Sequence, residues 1–233
     1  MMLYKRHDLV WLSDAGKDHA LRNIQECIPK VNDKEINELV FPVPQIPAII
    51  RRQENADTES LLTDMGNPLA DAQLICIGFS SPKIIDGVRL RISSMVPSDC
   101  IIKHITPFDV VEFDKKKLPC GELLEKLIET GRNYNIKVGC FGAVAMQLAT
   151  GLPYLHEKSD LDVYLRGEGR RRDLSLFFVR LSELEEQFNI TIDAEIEYFG
   201  YGVKLKELFA TGNTVLAKGS YDVVLLDKRS FPE

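Results

Sequence analysis

The stretch from Val138 to Leu165, VGCFGAVAMQLATGLPYLHEKSDLDVYL, leaves little freedom in how the second half of this chain folds. Its apolar opening, Val138 to Phe141, reads as a strand, with glycines at Gly139 and Gly142. Ala143 to Ala149 has helical character, and Thr150-Gly151-Leu152-Pro153 breaks it. Ser159-Asp160-Leu161-Asp162 then feeds the apolar run Val163-Tyr164-Leu165. Successive side chains of a strand point to opposite faces. Asp160 and Asp162 therefore share one face, while Leu161 and Val163 point into a core. Two carboxylates held that close repel each other unless a cation lies between them, and a divalent metal ion is the usual one.

Asp-x-Asp alone marks many solvated strand ends, and a Gly-Ala pair is weaker still. Strand, glycine turn, short helix and Asp-x-Asp in that order are more specific, and together they form the nucleotidyltransferase signature. Glycine lets a phosphate approach the backbone, and a helix N-terminus favours its charge. Asp160 and Asp162 then hold Mg²⁺ against that phosphate.

The rest of the chain narrows the class. Its 233 residues are enough for one large or two small domains. A net charge of −6 argues against broad nucleic-acid binding. No run of 18 apolar residues exists, which predicts no membrane-spanning helix. The opening, MMLYKRHDLVWL, meets charge early and lacks the apolar core of a signal peptide. Cys27, Cys76, Cys100, Cys120 and Cys140 are scattered, with no Cys-x-x-Cys pair, and read as buried free thiols in a reducing cytoplasm. A cytoplasmic protein is the expectation.

Taken in order, Arg6-His7-Asp8 precedes the apolar run Leu9-Val10-Trp11-Leu12. Ser13 or Asp14 caps a helix to about Cys27 that buries Ala20, Leu21, Ile24 and Ile28, and Pro29 ends it. Three prolines within 42–47 make an extended connector. Ile46 to Ile50 reads as a strand ending on Arg51-Arg52, and 53–70 as a loop or short helix. Leu74 to Phe79 is a strand, Ser80-Ser81-Pro82-Lys83 a turn, and Val88 to Ile92 a strand with Arg89 and Arg91 on one face. Paired arginines suit phosphate, and they equally suit a solvated face with salt bridges. Ile101 to Ile105 is a further strand. A boundary near 108–120 separates an N-terminal α/β domain, 1–115, from a catalytic domain, 116–233.

In the second half, Glu122 to Arg132 is amphipathic, with Leu123, Leu124, Leu127 and Ile128 as its buried stripe. Leu174, Phe177, Phe178, Leu181, Leu184 and Phe188 recur at helical spacing and read as core. Ile190 to Glu197 alternates, so Asp193, Glu195 and Glu197 share one strand face, costly unless exposed or metal-linked. Asp193, or else Glu195, is the natural third carboxylate, and Glu197 reads as solvated. A short helical turn lies in Lys204 to Phe209. Strands at Thr214–Ala217 and Val223–Leu226 close the fold, with Lys218 ending the first. The fold class is α/β (α+β), a nucleotidyltransferase-like mixed sheet with helices in the C-terminal half.

With these residues in place, the chain resembles the holo-acyl-carrier-protein synthases of malonate decarboxylase, the phosphoribosyl-dephospho-CoA transferase family. The resemblance spans almost the whole chain. It rests on Arg6 to Leu12, Arg51-Arg52, Gly78 to Arg89, Leu148 to Tyr154, Ser159 to Asp162, Asp193-Ala194-Glu195 and Val215 to Lys218. Where the family usually has Gly-Ser this chain has Gly142-Ala143, and where it usually has Trp it has Met146.

The resemblance implies an enzyme that moves a phosphoribosyl-dephospho-CoA group from triphosphoribosyl-dephospho-CoA onto a serine of the acyl-carrier subunit, releasing pyrophosphate. It implies Mg²⁺ on Asp160 and Asp162, with Asp193 or Glu195 completing the metal site and helping to activate the serine. Gly139, Gly142, Ala143 and Ser159 are then donor-binding positions, as are Arg6, His7, Arg51, Arg52, Arg89 and Lys218. Nucleotidyl transfer to another acceptor and a catalytically silent binding module are the alternatives.

Overall fold

Two sheets divide the chain. A computed structural model describes residues 4–27, 38, 40, 41, 45–53, 73–85, 87–167 and 170–231. They fall into two units, Met1–Ile105 and Thr106–Glu233. The polar stretch 54–70, Pro29 and residues 42–44 of the proline connector lie outside the described residues. The protein is α+β, and among the described residues no helix is long and apolar enough to cross a membrane.

The first unit holds strands β1 (Leu9–Leu12), β2 (Ala48–Ile50), β3 (Leu74–Ile85), β4 (Val88–Pro97) and β5 (Ile101–Ile105). They form one antiparallel sheet in the order β4-β3-β2-β1-β5. Helix α1 (Asp14–Cys27) lies on it. Ser13 is its cap, since its hydroxyl accepts from Gly16 N at 3.2 Å. Ala20 and Ile24 of α1 pack with Ile75, Ile77, Phe79 and Val96 in one apolar core. The buried Ser94 hydroxyl donates to the Ala20 carbonyl at 3.1 Å.

The turn expected at Ser80–Lys83 is absent. β3 runs on through Pro82 to Ile85, and the reversal comes at Gly87, whose φ is +78°. Two features let a proline sit in this strand. The β3–β4 register shifts between Ser80 and Ile84, which is a bulge. β2 is short and pairs with β3 at Ile77 and Gly78, so Pro82 lies beyond it and its missing N–H interrupts no ladder with β2. Val88 is exposed near the tip of this hairpin.

The second unit holds β6 (Ile136–Cys140), β7 (Leu161–Gly167), β8 (Ile192–Tyr198), β9 (Tyr201–Lys204), β10 (Thr214–Lys218) and β11 (Val223–Asp227). Their order is β11-β10-β9-β8-β7-β6. β7 and β8 run parallel and the other pairs antiparallel, so the sheet is mixed. A parallel pair needs a long crossover, and helix α5 (Arg171–Phe188) supplies it. Before it come α2 (Pro107–Val110), α3 (Gly121–Asn133) and α4 (Gly142–Thr150), and after it α6 (Leu205–Phe209).

Alternation sorts the two faces of this sheet. Val138, Leu161, Val163, Leu165, Ile192, Ala194 and Ile196 are buried on one. Leu123, Leu124 and Leu127 of α3 and Leu174, Phe177 and Leu181 of α5 are buried as their spacing predicts, while Ile128 is half-buried. Cys76, Cys100, Cys120 and Cys140 are free thiols, the last two buried.

Candidate active site

The opposite face of the second sheet carries the acids. Asp160 precedes β7, whose start is pinned by Leu161 N donating to the Thr191 carbonyl at 2.8 Å. Asp162 is the register partner of Asp193 on β8, and Glu195 follows two residues on, opposite Tyr164. Parallel pairing therefore places carboxylates from two strands side by side. Asp160 is exposed, Asp162 and Asp193 are half-buried, and Glu195 is buried.

Burial pushes the Asp162 carboxyl up to about 7, and the charges of Asp193, Asp160 and Glu195 push the same way. The Lys204 ammonium opposes them. A carboxyl that resists ionisation because its neighbours are anions is a group that gains from an added cation.

Gly142 fits against this carboxyl. Its φ is +63°, and a Cβ there falls on Asp162 Oδ2 and lies 2.9 Å from its Cγ. The preceding Phe141 N donates to the Asp162 carbonyl at 3.1 Å, locking the head of α4 to β7. Ala143, half-buried, follows in the first turn of α4. Gly139 has a different place. It lies in β6 under α2, where a Cβ comes 2.7 Å from the Pro107 backbone and 3.0 Å from the Phe108 ring. Phe108 rests on Tyr164 from that side, with ring centroids 5.9 Å apart.

The loop between α4 and β7 is built by its own side chains. Gln147 Oε1 accepts from Tyr154 N at 3.0 Å and from Leu155 N at 2.9 Å. Thr150 Oγ1 donates to the Met146 carbonyl at 2.6 Å and accepts from Leu152 N at 3.1 Å. Gly151 ends α4 in the left-handed conformation, φ +71°. The Ser159 hydroxyl accepts from His156 N at 2.9 Å, closing the turn that delivers Asp160.

Lys204 was not among the expected site residues, and the structure puts it at the centre. It ends β9, opposite Glu195, and its Nζ donates to Asp193 Oδ2 at 2.7 Å. Glu197 is paired with Arg166 at 2.7 Å, both on the acid-bearing face. Lys218 lies two strands from β8 in the row of Glu197 and Gly202. Among the described residues, no three His, Cys, Asp or Glu side chains stand ready to hold a metal ion by themselves.

The remaining expected residues belong to the first unit. His7 has φ +74°, and its N donates to the Ile50 carbonyl at 3.1 Å, beside Arg51. Asp8, buried, accepts from Lys5 N at 2.9 Å and its carbonyl accepts from Ile50 N at 2.8 Å, which fixes this turn. Arg6 Nη2 meets His7 Nε2 at 3.1 Å. The Arg51 guanidinium lies across Gly78, where a Cβ comes 2.8 Å from its Cδ, and donates to the Ser93 hydroxyl. Arg6, His7 and Arg51 thus gather at one end of the first sheet. Arg52 is exposed beside them, and Arg89 donates to the Ser81 carbonyl at 2.8 Å further along the hairpin.

Residues 110–229 match the family model described as phosphoribosyl-dephospho-CoA transferase MdcG C-terminal domain. Three curated proteins, each called phosphoribosyl-dephospho-CoA transferase, are similar. The one from Pseudomonas aeruginosa is 34% identical over 113 residues, 48% of this chain and 52% of the relative. That from Xanthomonas euvesicatoria is 31% identical over 112 residues, 47% and 52%. That from Bradyrhizobium diazoefficiens is 28% identical over 109 residues, 46% and 48%. The chain spans about half the length of the curated relatives it matches. No solved structure matches it.

Proposed function

The chain belongs to the phosphoribosyl-dephospho-CoA transferase MdcG C-terminal-domain family, and on that premise we propose that it moves a phosphoribosyl-dephospho-CoA group from triphosphoribosyl-dephospho-CoA to a serine of the malonate decarboxylase acyl-carrier subunit. The serine oxygen forms a bond to the donor phosphorus nearest the ribose, the phosphoanhydride bond beyond that phosphorus breaks, and pyrophosphate leaves with the electron pair. The serine proton passes to a carboxylate, the proposed one being Asp193. The observation that carries this reading is the register of Asp162 with Asp193 across parallel strands, with Asp160 beside them and Gly142 against the Asp162 carboxyl.

The donor set fits Mg²⁺. Carboxylate oxygens are hard ligands, and Mg²⁺ is commonly held by one or two carboxylates with substrate phosphates completing its shell. Asp160 and Asp162 are the residues that would hold it, with the Asp193 carboxylate beside them. When bound, the ion neutralises charge on the donor phosphates. The chain does the rest. Gly142 keeps side chains away from Asp162, the first turn of α4 presents backbone N–H groups beside it, and the Gln147-braced loop fixes Asp160. Lys218 is a proposed donor-phosphate contact on the second unit, and Arg6, His7, Arg51, Arg52 and Arg89 are proposed anion-binding residues of the first unit, taken by itself.

A silent binding module is the second reading, favoured by Lys204 already occupying Asp193. One experiment separates them. The chain is incubated with donor, Mg²⁺ and unmodified carrier subunit, and the carrier's mass is followed. The proposed reaction adds the prosthetic group, and Asp160→Asn and Asp162→Asn each slow it about a hundredfold or more. Near-normal transfer by both variants would remove the acids from the mechanism. Metal-independent donor binding without transfer establishes the silent module.

A further inference from the structure

Four carboxyls crowd the acid face around Asp162. Asp160, Asp162, Asp193 and Glu195 act on one another across β7 and β8, and Lys204 is the cation acting against them at Asp162. β9 delivers it as the register partner of Glu195, and its ammonium reaches along the sheet to Asp193 Oδ2 at 2.7 Å. Its partners keep it charged: the hydrogen bond to Asp193 raises its pKa first, and the charges of Asp193, Glu195 and Glu207 add to this. The two side chains are 36% and 32% exposed, so the pair is half withdrawn from water on a face where anions outnumber cations. An ammonium and a metal ion compete for the same carboxylate oxygen lone pairs, so a carboxylate held by one is withheld from the other.

We propose that Lys204 is the resident cation of this site: it holds Asp193 out of the metal's ligand set and leaves Asp160 and Asp162 to bind a single divalent ion. This rests on the reading of Asp160 and Asp162 as metal ligands. Lys204 is then a positioning residue. It holds the Asp193 carboxylate by a hydrogen bond in the row of Asp162, where that carboxylate can take the acceptor's proton instead of ligating metal. The sign of its effect is distinctive. A lysine that only braces the site weakens metal binding when removed. A lysine that competes with metal strengthens it, because its loss frees a carboxylate and removes a positive charge from among the acids.

The test titrates Mn²⁺ into the full-length chain and its Lys204→Met, Lys204→Gln, Lys204→Arg and Asp162→Asn variants, reading free ion by EPR with and without inorganic pyrophosphate. Circular dichroism checks folding. Wild type and Lys204→Arg are expected to bind one Mn²⁺, and Asp162→Asn to lose it. Lys204→Met and Lys204→Gln are expected to bind Mn²⁺ at least about tenfold more tightly without pyrophosphate and to take up a second ion. Folded Met and Gln variants that bind no more tightly than wild type overturn the role of Lys204, while loss of binding in Asp162→Asn keeps the metal site. Collapse of both variants with Lys204→Arg intact also overturns it, showing a structural cation. Mn²⁺ binding by no variant overturns the metal reading together with this one.

Discussion

Gly142 and Asp162 define the site at the scale of single residues. The positive φ of Gly142 already disfavours any side chain, and a methyl group there lands on the Asp162 carboxyl. Gly142→Ala is therefore expected to cost about 1–3 kcal/mol of stability and to abolish transfer, checked by denaturant unfolding and the carrier-mass assay. Asp162 itself predicts a pH signature in the metal-free protein. Its folded pKa, about 7, lies well above the ordinary carboxylate value of 3.8. Between these limits the folded chain binds a proton that the unfolded chain has released, so this group's contribution to stability falls as pH rises from about 4 to about 7. Asp162→Asn lacks the carboxyl. Its stability relative to wild type should climb across that window by roughly 2–4 kcal/mol and level off above it. Parallel pH profiles for the two proteins would contradict this.

At the scale of elements, the loop after α4 shows how much of the site depends on one buried acceptor. Gln147 Oε1 serves two backbone amides, Tyr154 N and Leu155 N, and Tyr154 is buried. Gln147→Ala leaves both unsatisfied, at about 1–3 kcal/mol for a lost buried partner. Hydrogen exchange at residues 152–160 should quicken, and protection unchanged from wild type would show that the loop holds without it. Nothing in the spacing of α4 marks Gln147, because its partners lie seven and eight residues on, in a loop whose path was not predictable. By contrast, β7 and β8 were legible, because alternation over several residues fixes which face each acid takes. β9 was not. It has four residues between a two-residue turn at Phe199-Gly200 and the start of α6, too few for a period to show, and Lys204 went unnoticed with it. The Ser-Ser-Pro-Lys segment in β3 failed for the opposite reason. Its local turn chemistry is strong, but pairing with β4 overrides it, and the Asp86-Gly87 dipeptide was the better turn signal.

The whole molecule divides at Ile105, and the family match, 110–229, lies inside the second unit. That unit has its own six-stranded sheet and its own buried helices, the ingredients of an independently folding domain. Asp193, Asp160, Glu195 and Lys204, whose charges act on Asp162, also lie within it. Two consequences follow for a chain cut to Thr106–Glu233. It should unfold in one cooperative transition, because it carries its own sheet and its own buried helices. It should also keep the Asp162 pH signature, with Asp162→Asn gaining on the parent between about pH 4 and 7 as it does in the full chain. The measurement is denaturant unfolding of the truncated chain and its Asn variant at several pH values. A piece that melts without a cooperative transition would show that the second unit needs residues of the first to complete its core. A cooperative piece in which the signature is gone would show that the charge acting on Asp162 comes from elsewhere, since nothing in the register of β7, β8 and β9 changes when the first unit is removed.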